Sequence, residues 1–191
     1  MGKGRLEAFS DGVIAIIITI MVLELRPPEG TTLEDIQKLY PTFLAYVLSF
    51  VNVGIYWNNH HHLFQAVRVV DGRVLWANLF LLFWLSLFPF TTAWMGENSF
   101  ASLPIAVYAG VLLMAGVAYY ILERLLIRIQ PPGTHLGEAV GLELKGITSV
   151  VAYLFAIATA FVLPAVSLAI IVGVAVWWFI PDRRIERAIG R

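Results

Sequence analysis

Long apolar runs recur along the chain, and they constrain its fold more than any other feature. A helix needs about 20 residues to cross the hydrocarbon core of a bilayer, and six runs approach that length. They cover about residues 9–25, 41–60, 74–94, 101–122, 146–162 and 164–180. Only 14% of the residues are charged, against about a quarter in soluble domains. The sequence therefore predicts an all-α integral membrane protein with six transmembrane helices, forming one domain over residues 1–191. The division of the last two spans depends on Pro164, which could instead kink one long segment.

The charges of the loops predict the orientation of these spans. Eleven basic residues fall on one side of the membrane: Lys3, Arg5, Arg68, Arg73, Arg124, Arg128, Lys145, Arg183, Arg184, Arg187 and Arg191. The other side has Arg26 and Lys38 only. By the positive-inside rule, both termini are predicted to be cytoplasmic. The first run ends without a small-residue cleavage site, so we expect no signal peptide.

Several classes of protein are excluded by what the chain lacks. The absence of cysteine excludes disulfides, thiolate metal sites and cysteine nucleophiles. There is no Gly-x-Ser-x-Gly or His-Glu-x-x-His motif and no pair of carboxylates within the spans, so we do not expect an enzyme. The net charge is zero and indicates no nucleic-acid partner. No Thr-Val-Gly-Tyr-Gly segment is present, which excludes a carbonyl-lined potassium filter of the usual kind.

The first span carries the most unusual residues. Asp11 lies one to two turns inside the predicted boundary, where a carboxylate is costly unless it has a partner; alternatively, it is a solvated residue at the helix start. Further along, Ile16, Ile20 and Leu23 share one face with Thr19, because residues three and four apart are neighbours on a helix. Periodicity alone does not distinguish a pore-lining face from a lipid-facing one.

The second span ends in a polar cluster at the level of Asp11. It reads Trp57-Asn58-Asn59-His60-His61-His62. Consecutive histidines lie about 100° apart on a helix and do not converge, which disfavours a metal site. A latch between the first two spans is the better interpretation. We expect Asp11 to pair with His60 or with Arg5 of another helix, since Arg5 and Asp11 lie about 240° apart on their own helix.

The residues that begin the first span resemble those of the transmembrane protein 175 family, endosomal and lysosomal potassium channels with prokaryotic relatives. The matching residues are Arg5, Phe9-Ser10-Asp11-Gly12-Val13, Ala15-Ile16 and Thr19, with Trp57 and His60 in the second span. Gly12 departs from the bulkier small residue of the animal members. Animal members carry two six-helix repeats, whereas this chain carries one, as the prokaryotic members do.

The resemblance implies a potassium-selective leak channel, a homotetramer in a prokaryotic cell membrane whose first helices line a central pore. Potassium would be the permeant ion, and neither a cofactor nor a bound metal is implied. The pore constriction would correspond to Ile16, Ile20 and Leu23, and a hydroxyl ring to Thr19. The polar network that holds the pore helices together would correspond to Arg5, Ser10, Asp11, Trp57 and His60.

Two further points stay open at this stage. Glu24 follows Ile20 by one turn, so four copies would form an acidic ring at the outer mouth; alternatively, it is an ordinary interfacial glutamate.

The alternative function is a secondary transporter of a small cation. Such a protein would need a substrate site at mid-membrane, and the first three spans do not resemble the last three, as an inverted repeat would require.

Overall fold

The computed structural model describes residues 2–131 and 144–179, and within them every regular element is a helix. The helices are α1 (Lys3–Leu23), α2 (Leu33–Gln37), α3 (Tyr40–Gln65), α4 (Gly72–Ser86), α5 (Phe88–Glu97), α6 (Ser102–Ile129), α7 (Leu144–Ala160) and α8 (Pro164–Phe179). The predicted all-α fold is confirmed. Taking α4 and α5 as one unit, and α2 as a short helix in the first loop, six units correspond to the six predicted spans.

Three units are long and apolar enough to cross a membrane by length and composition alone. These are α1, α4 continued by α5, and α6, while α7 and α8 are shorter apolar helices. Helix α3 is long enough at 26 residues, but its polar residues dilute its hydropathy. Together these helices make an integral membrane protein.

The third predicted span is not one helix. It breaks at Leu87, between α4 and α5. Pro89 explains the break, because it has no N–H to donate to the preceding turn and its ring collides with the carbonyl four residues earlier. After the break the backbone ladder resumes at once, because the Thr91 N–H donates to the Leu87 carbonyl at 3.1 Å. The span predicted from Val74 to Trp94 corresponds to the candidate span Gly72–Glu97, with the break at Leu87 inside it.

The last two described helices form an antiparallel hairpin, as predicted from Pro164. Ser167 Oγ donates to the Ala156 carbonyl at 2.7 Å near the turn. At the other end Trp178 Nε1 donates to Ser149 Oγ at 2.8 Å. Pro164 begins a new helix, as proline does well in a first turn. The predicted end of the last span at Ile180–Pro181, the arginines beyond it and the Pro132-Gly133 break lie outside the described residues.

The helices pack around α6 and α1. Helix α6 lies against α4 and α7, and its inner turns bury Leu122 and Leu126 while Arg124 and Arg128 stay exposed. This amphipathic continuation explains why the helix runs past the predicted end at Leu122. Helix α5 approaches α3 so closely that a Cβ on Gly96 would lie 2.6 Å from the Thr42 Cα. Helix α1 packs against α3, α4 and α5.

Candidate functional site

Helix α1 has two sides that differ in their surroundings. The buried side carries Leu6, Ser10, Ile14, Ile17 and Met21, which contact the neighbouring helices. The other side is exposed along its length, and its large residues are 58% (Ile16), 40% (Ile20) and 77% (Leu23) exposed. The four residues singled out from the sequence, Thr19 included, therefore lie together on the side of α1 that the rest of the chain leaves uncovered.

Thr19 is the only hydroxyl on this exposed side of α1. Its Oγ1 donates to the carbonyl of Ile16 at 2.9 Å, so its proton is bound within the helix. The oxygen lone pairs remain free to accept, because a hydroxyl has one donor and two acceptor positions. Thr19 therefore presents an acceptor beside a row of apolar side chains.

A buried chain of hydrogen bonds holds the inner end of α1 against α3 and α4. His60 Nε2 lies 2.9 Å from Asn78 Oδ1, the Asn78 amide donates to Ser10 Oγ at 2.8 Å, and Ser10 Oγ donates to the Leu6 carbonyl at 2.9 Å. Since the Asn78 amide nitrogen faces Ser10, its oxygen faces His60, and this assigns the proton of His60 to Nε2. All three side chains are buried. The network thus joins three helices.

Asn78 is the central member of this network, and it was missed from the sequence. It is the one amide within the third apolar run, and polar residues inside a span are usually paired or functional. That signal could have identified it. Its partners on α1 and α3 follow only from the packing.

Asp11 and Trp57 form a second link between α1 and α3. Trp57 Nε1 donates to Asp11 Oδ1 at 3.0 Å, and both side chains are exposed in the single chain. The expected latch between the two helices is therefore present. Of the two partners predicted for Asp11, His60 was wrong, because it bonds Asn78 instead, and Arg5 of another helix stays a prediction.

Arg5 lies at the inner end of the exposed side of α1. At 100° per residue it projects within about 20° of Ile16 and Leu23. Arg5 is exposed, and no salt bridge joins it to any acidic residue in the two described ranges. The prediction that it pairs with Asp11 of another subunit concerns a contact outside this single chain.

His61, the residue after His60, contacts Gln65 and Trp57 instead of Asn78. His61 Nε2 lies 2.8 Å from Gln65 Nε2, and its ring stacks on Trp57 at 5.8 Å. Among residues 2–131 and 144–179, no three His, Cys, Asp or Glu side chains converge on a point that could hold a metal ion.

Glu24 lies at the C-terminal end of α1, where it caps the helix. Its backbone N–H points to the Ile20 and Val22 carbonyls. Its side chain borders an open groove of about 510 Å³ between α1 and α5. The groove is also lined by Arg26, Pro89, Phe90, Ala93, Trp94 and Glu97. Two carboxylates and one guanidinium therefore border this groove.

Helix α2, in the loop between α1 and α3, begins with a hydrogen-bonded capping box. Thr32 Oγ1 and the Thr32 N–H both bind Asp35 Oδ2, and the Asp35 N–H returns a bond to Thr32 Oγ1. These Thr32 bonds, and after them the bond from Lys38, lower the pKa of Asp35 below its ordinary value. These bonds define the start of α2.

Comparison with known proteins gives the family. A family profile described as endosomal/lysosomal potassium channel TMEM175 matches residues 5–89. A potassium channel of Chryseobacterium sp. (strain P1-3) is 53% identical over 189 residues, covering 99% of this chain and 98% of that protein. The mouse endosomal/lysosomal proton channel TMEM175 is 33% identical over 116 residues, covering 54% of this chain and 23% of that protein.

A solved structure agrees with the sequence relatives. The crystal structure of a lysosomal potassium-selective channel TMEM175 homolog from Chamaesiphon minutus superposes with a TM-score of 0.77 and 29% identity. The match covers 93% of this chain and 96% of that one. With the near full-length similarity to the Chryseobacterium potassium channel, this structural match makes the chain a member of the TMEM175 family of channels.

Proposed function

We propose that this chain forms a potassium-selective leak channel, in which four copies surround a pore lined by α1. The observation that carries the proposal is the uncovered apolar side of α1, with Ile16, Ile20 and Leu23 exposed while the opposite side is buried. One six-helix chain has too few helices to enclose a pore comfortably. Four copies of one helix around a symmetry axis can do so.

The three apolar residues would form stacked rings in such a tetramer. A ring of branched side chains has no polar atom to replace the hydration shell of an ion, so it acts as a hydrophobic constriction that conducts only when water fills it. The family resemblance assigns the narrowest ring to Ile16. Potassium loses part of its water shell more readily than sodium, and the Thr19 oxygens are the side-chain acceptors that can compensate.

The polar contacts at the inner end of α1 would hold the four pore helices in place. Inside one chain, Ser10 is tied through Asn78 to His60, and Asp11 is tied to Trp57. Both Asp11 and Arg5 remain exposed on α1. In a tetramer, Arg5 of one subunit can then reach Asp11 of the next, which would neutralise a carboxylate at the membrane boundary.

The outer and inner ends of the pathway carry opposite charges. Four copies of Glu24 would concentrate cations at the outer mouth, while the inner loops carry most of the basic residues. We assign both termini to the cytoplasm on this charge asymmetry, and the protein to a prokaryotic membrane because of its bacterial relatives. The pathway needs no cofactor, because the permeant potassium ion is the only species that the proposed chemistry involves.

Proton permeation is the second candidate. The animal relatives are named endosomal/lysosomal proton channels. In this chain no titratable residue lies between Asp11 and Glu24, so a proton would have to travel along water that fills the constriction rather than through side chains. A pore too narrow for hydrated potassium would favour that route.

The proposal is tested with the purified protein in liposomes under separate potassium and proton gradients. We expect a current that reverses at the potassium equilibrium potential and does not saturate as the rate of a carrier would. Reversal at the proton equilibrium potential would replace the first candidate by the second. Flux that saturates and depends on a coupled proton gradient would indicate a transporter and contradict both.

A further inference from the structure

Three buried hydroxyls on three helices meet behind the outer half of α1, and we call them the hydroxyl cluster. They belong to Ser49 of α3, Thr92 of α5 and Tyr108 of α6. Thr92 Oγ1 donates to Ser49 Oγ at 2.6 Å, and Ser49 Oγ donates to Tyr108 Oη at 3.0 Å. The Asn52 amide approaches Tyr108 Oη at 3.5 Å from the next turn of α3. The cluster is a continuous chain of polar contacts in an apolar environment.

The hydroxyl cluster touches α1 through Met21. Thr92 Oγ1 lies 3.9 Å from Met21 Sδ, and Met21 is 1% exposed. On the helix, Met21 lies about 160° away from Leu23 and 100° away from Ile20. The contact at Met21 is therefore made behind the part of α1 that carries Ile20 and Leu23.

Helix α1 meets polar side chains of its neighbours at two levels. At the inner level Ser10 bonds Asn78, and at the outer level Met21 meets the hydroxyl cluster. The two levels are about 16 Å apart, from the rise of about 1.5 Å per residue. Between them the buried side offers only Ile14 and Ile17. Apolar contacts fix helix depth poorly in a membrane, where lipid solvates apolar side chains equally well.

We propose that the hydroxyl cluster is a positioning element that fixes the outer half of α1, and with it the radius of the pathway at Ile20 and Leu23. Its effect on permeation rests on the proposed function, whereas its effect on the position of α1 does not. Thr92 acts through Met21, and Ser49 and Tyr108 hold Thr92 in the rotamer that reaches Met21. None of the three touches the ion.

The first test compares a Thr92 variant that lacks the hydroxyl with one that keeps it. Thr92→Val keeps the shape and removes the hydroxyl, while Thr92→Ser keeps the hydroxyl. Thr91→Val is the matched control, because the Thr91 hydroxyl bonds only carbonyls of its own chain segment, Leu87 and Phe88. We expect Thr92→Val to change the potassium-to-sodium permeability ratio about threefold, on the scale of an average interhelical hydrogen bond in a membrane. Thr92→Ser and Thr91→Val should leave the ratio unchanged.

The second test measures the position of α1 without any current. The chain has no cysteine, so Glu24→Cys with Ala93→Cys introduces the only pair, at two positions that line one groove. We expect Tyr108→Phe, Ser49→Ala and Thr92→Val each to change the rate of disulfide formation by about threefold or more, on the same scale. Thr91→Val should leave the rate of disulfide formation unchanged.

The outcomes separate this inference from the proposed function. If the parent protein passes no potassium current while the cross-linking rate responds to the three variants, the channel assignment fails and the positioning role stands. If Thr92→Val alters neither the permeability ratio nor the cross-linking rate, or Thr91→Val alters both equally, the hydroxyl cluster does not position α1. A Thr92→Val protein that fails to fold leaves Tyr108→Phe and Ser49→Ala to decide by the same two measurements.

Discussion

Trp57 and Asp11 are joined by a hydrogen bond of 3.0 Å that links α3 to α1 at the inner end of the exposed side. A carboxylate at membrane depth costs free energy unless it is paired. Trp57 supplies one N–H, and the carboxylate keeps further acceptor positions. The bond fixes the side chain that an Arg5 of a neighbouring subunit would contact.

The hydrogen bond between Trp57 and Asp11 gives the first prediction. Trp57→Phe keeps the aromatic ring and removes the donor, and Asp11→Asn removes the charge. Each should weaken subunit association, by roughly 1–3 kcal/mol for a hydrogen bond to a charged group. The fraction of tetramer, measured by light scattering in detergent at several protein concentrations, should fall for both. Trp76→Phe is the control, since Trp76 is 75% exposed. A tetramer as stable as the parent in both variants would make Asp11 a solvated helix-start residue.

The buried network at Asn78 gives the second prediction. Asn78→Leu has similar volume but leaves the His60 Nε2–H without an acceptor, and the Ser10 hydroxyl keeps only its bond to the Leu6 carbonyl. Each unsatisfied buried group costs about 1–3 kcal/mol, so the protein should unfold at lower temperature. Asn98→Leu is the control, because that exposed amide donates only to a carbonyl of its own chain segment, Trp94. Equal melting temperatures for Asn78→Leu and the parent would mean that the network contributes no stability.

The orientation gives the third prediction. Glu29→Cys in the exposed outer loop and Arg68→Cys in the inner loop add single thiols to a cysteine-free chain. A membrane-impermeant maleimide added to intact cells should label the first and spare the second. Labelling of both from outside would contradict the six-span topology with cytoplasmic termini.

The acidic end of α1 gives the fourth prediction. Glu24→Gln should reduce inward conductance most at low salt, where the Debye length is about 30 Å at 0.01 M against about 3 Å at 1 M. Glu34→Gln removes the same charge from an outer-loop side chain that is 82% exposed, and it should have little effect. If the Glu24→Gln and parent conductances stay equal at every salt concentration, Glu24 is an interfacial residue only.

The sequence singled out the exposed and polar residues of α1 but not the contacts that hold this helix against its neighbours. Helical periodicity places Ile16, Ile20 and Leu23 on one face, the family resemblance singles that face out, and the polar start follows from its unusual composition. Asn78 and Thr92 escaped notice because their importance depends on the residues that tertiary packing brings to them. The break at Leu87 was also missed, since proline is tolerated within a transmembrane helix and its presence does not decide between a kink and a break.

The fifth prediction concerns Ile16 and separates a pore from a lipid-facing surface. In the proposed tetramer, Ile16→Asn would place four amides where four apolar side chains would form the narrowest ring, and amides hold water. The constriction would then stay hydrated, so we expect larger currents and weaker discrimination between potassium and sodium. Thr19→Val keeps the shape of the side chain but removes the oxygen; it should lower selectivity with less effect on current.

Ile147→Asn is the control for the fifth prediction, because Ile147 of α7 is exposed to the same degree, 60% against 58% for Ile16. An asparagine facing lipid should reduce insertion or stability and leave the selectivity of the surviving current as it was, because the pathway itself is unchanged. Single-channel recording in planar bilayers, with potassium and sodium on opposite sides, measures both quantities. If Ile16→Asn behaves as Ile147→Asn does, Ile16 faces lipid and α1 does not line the pathway.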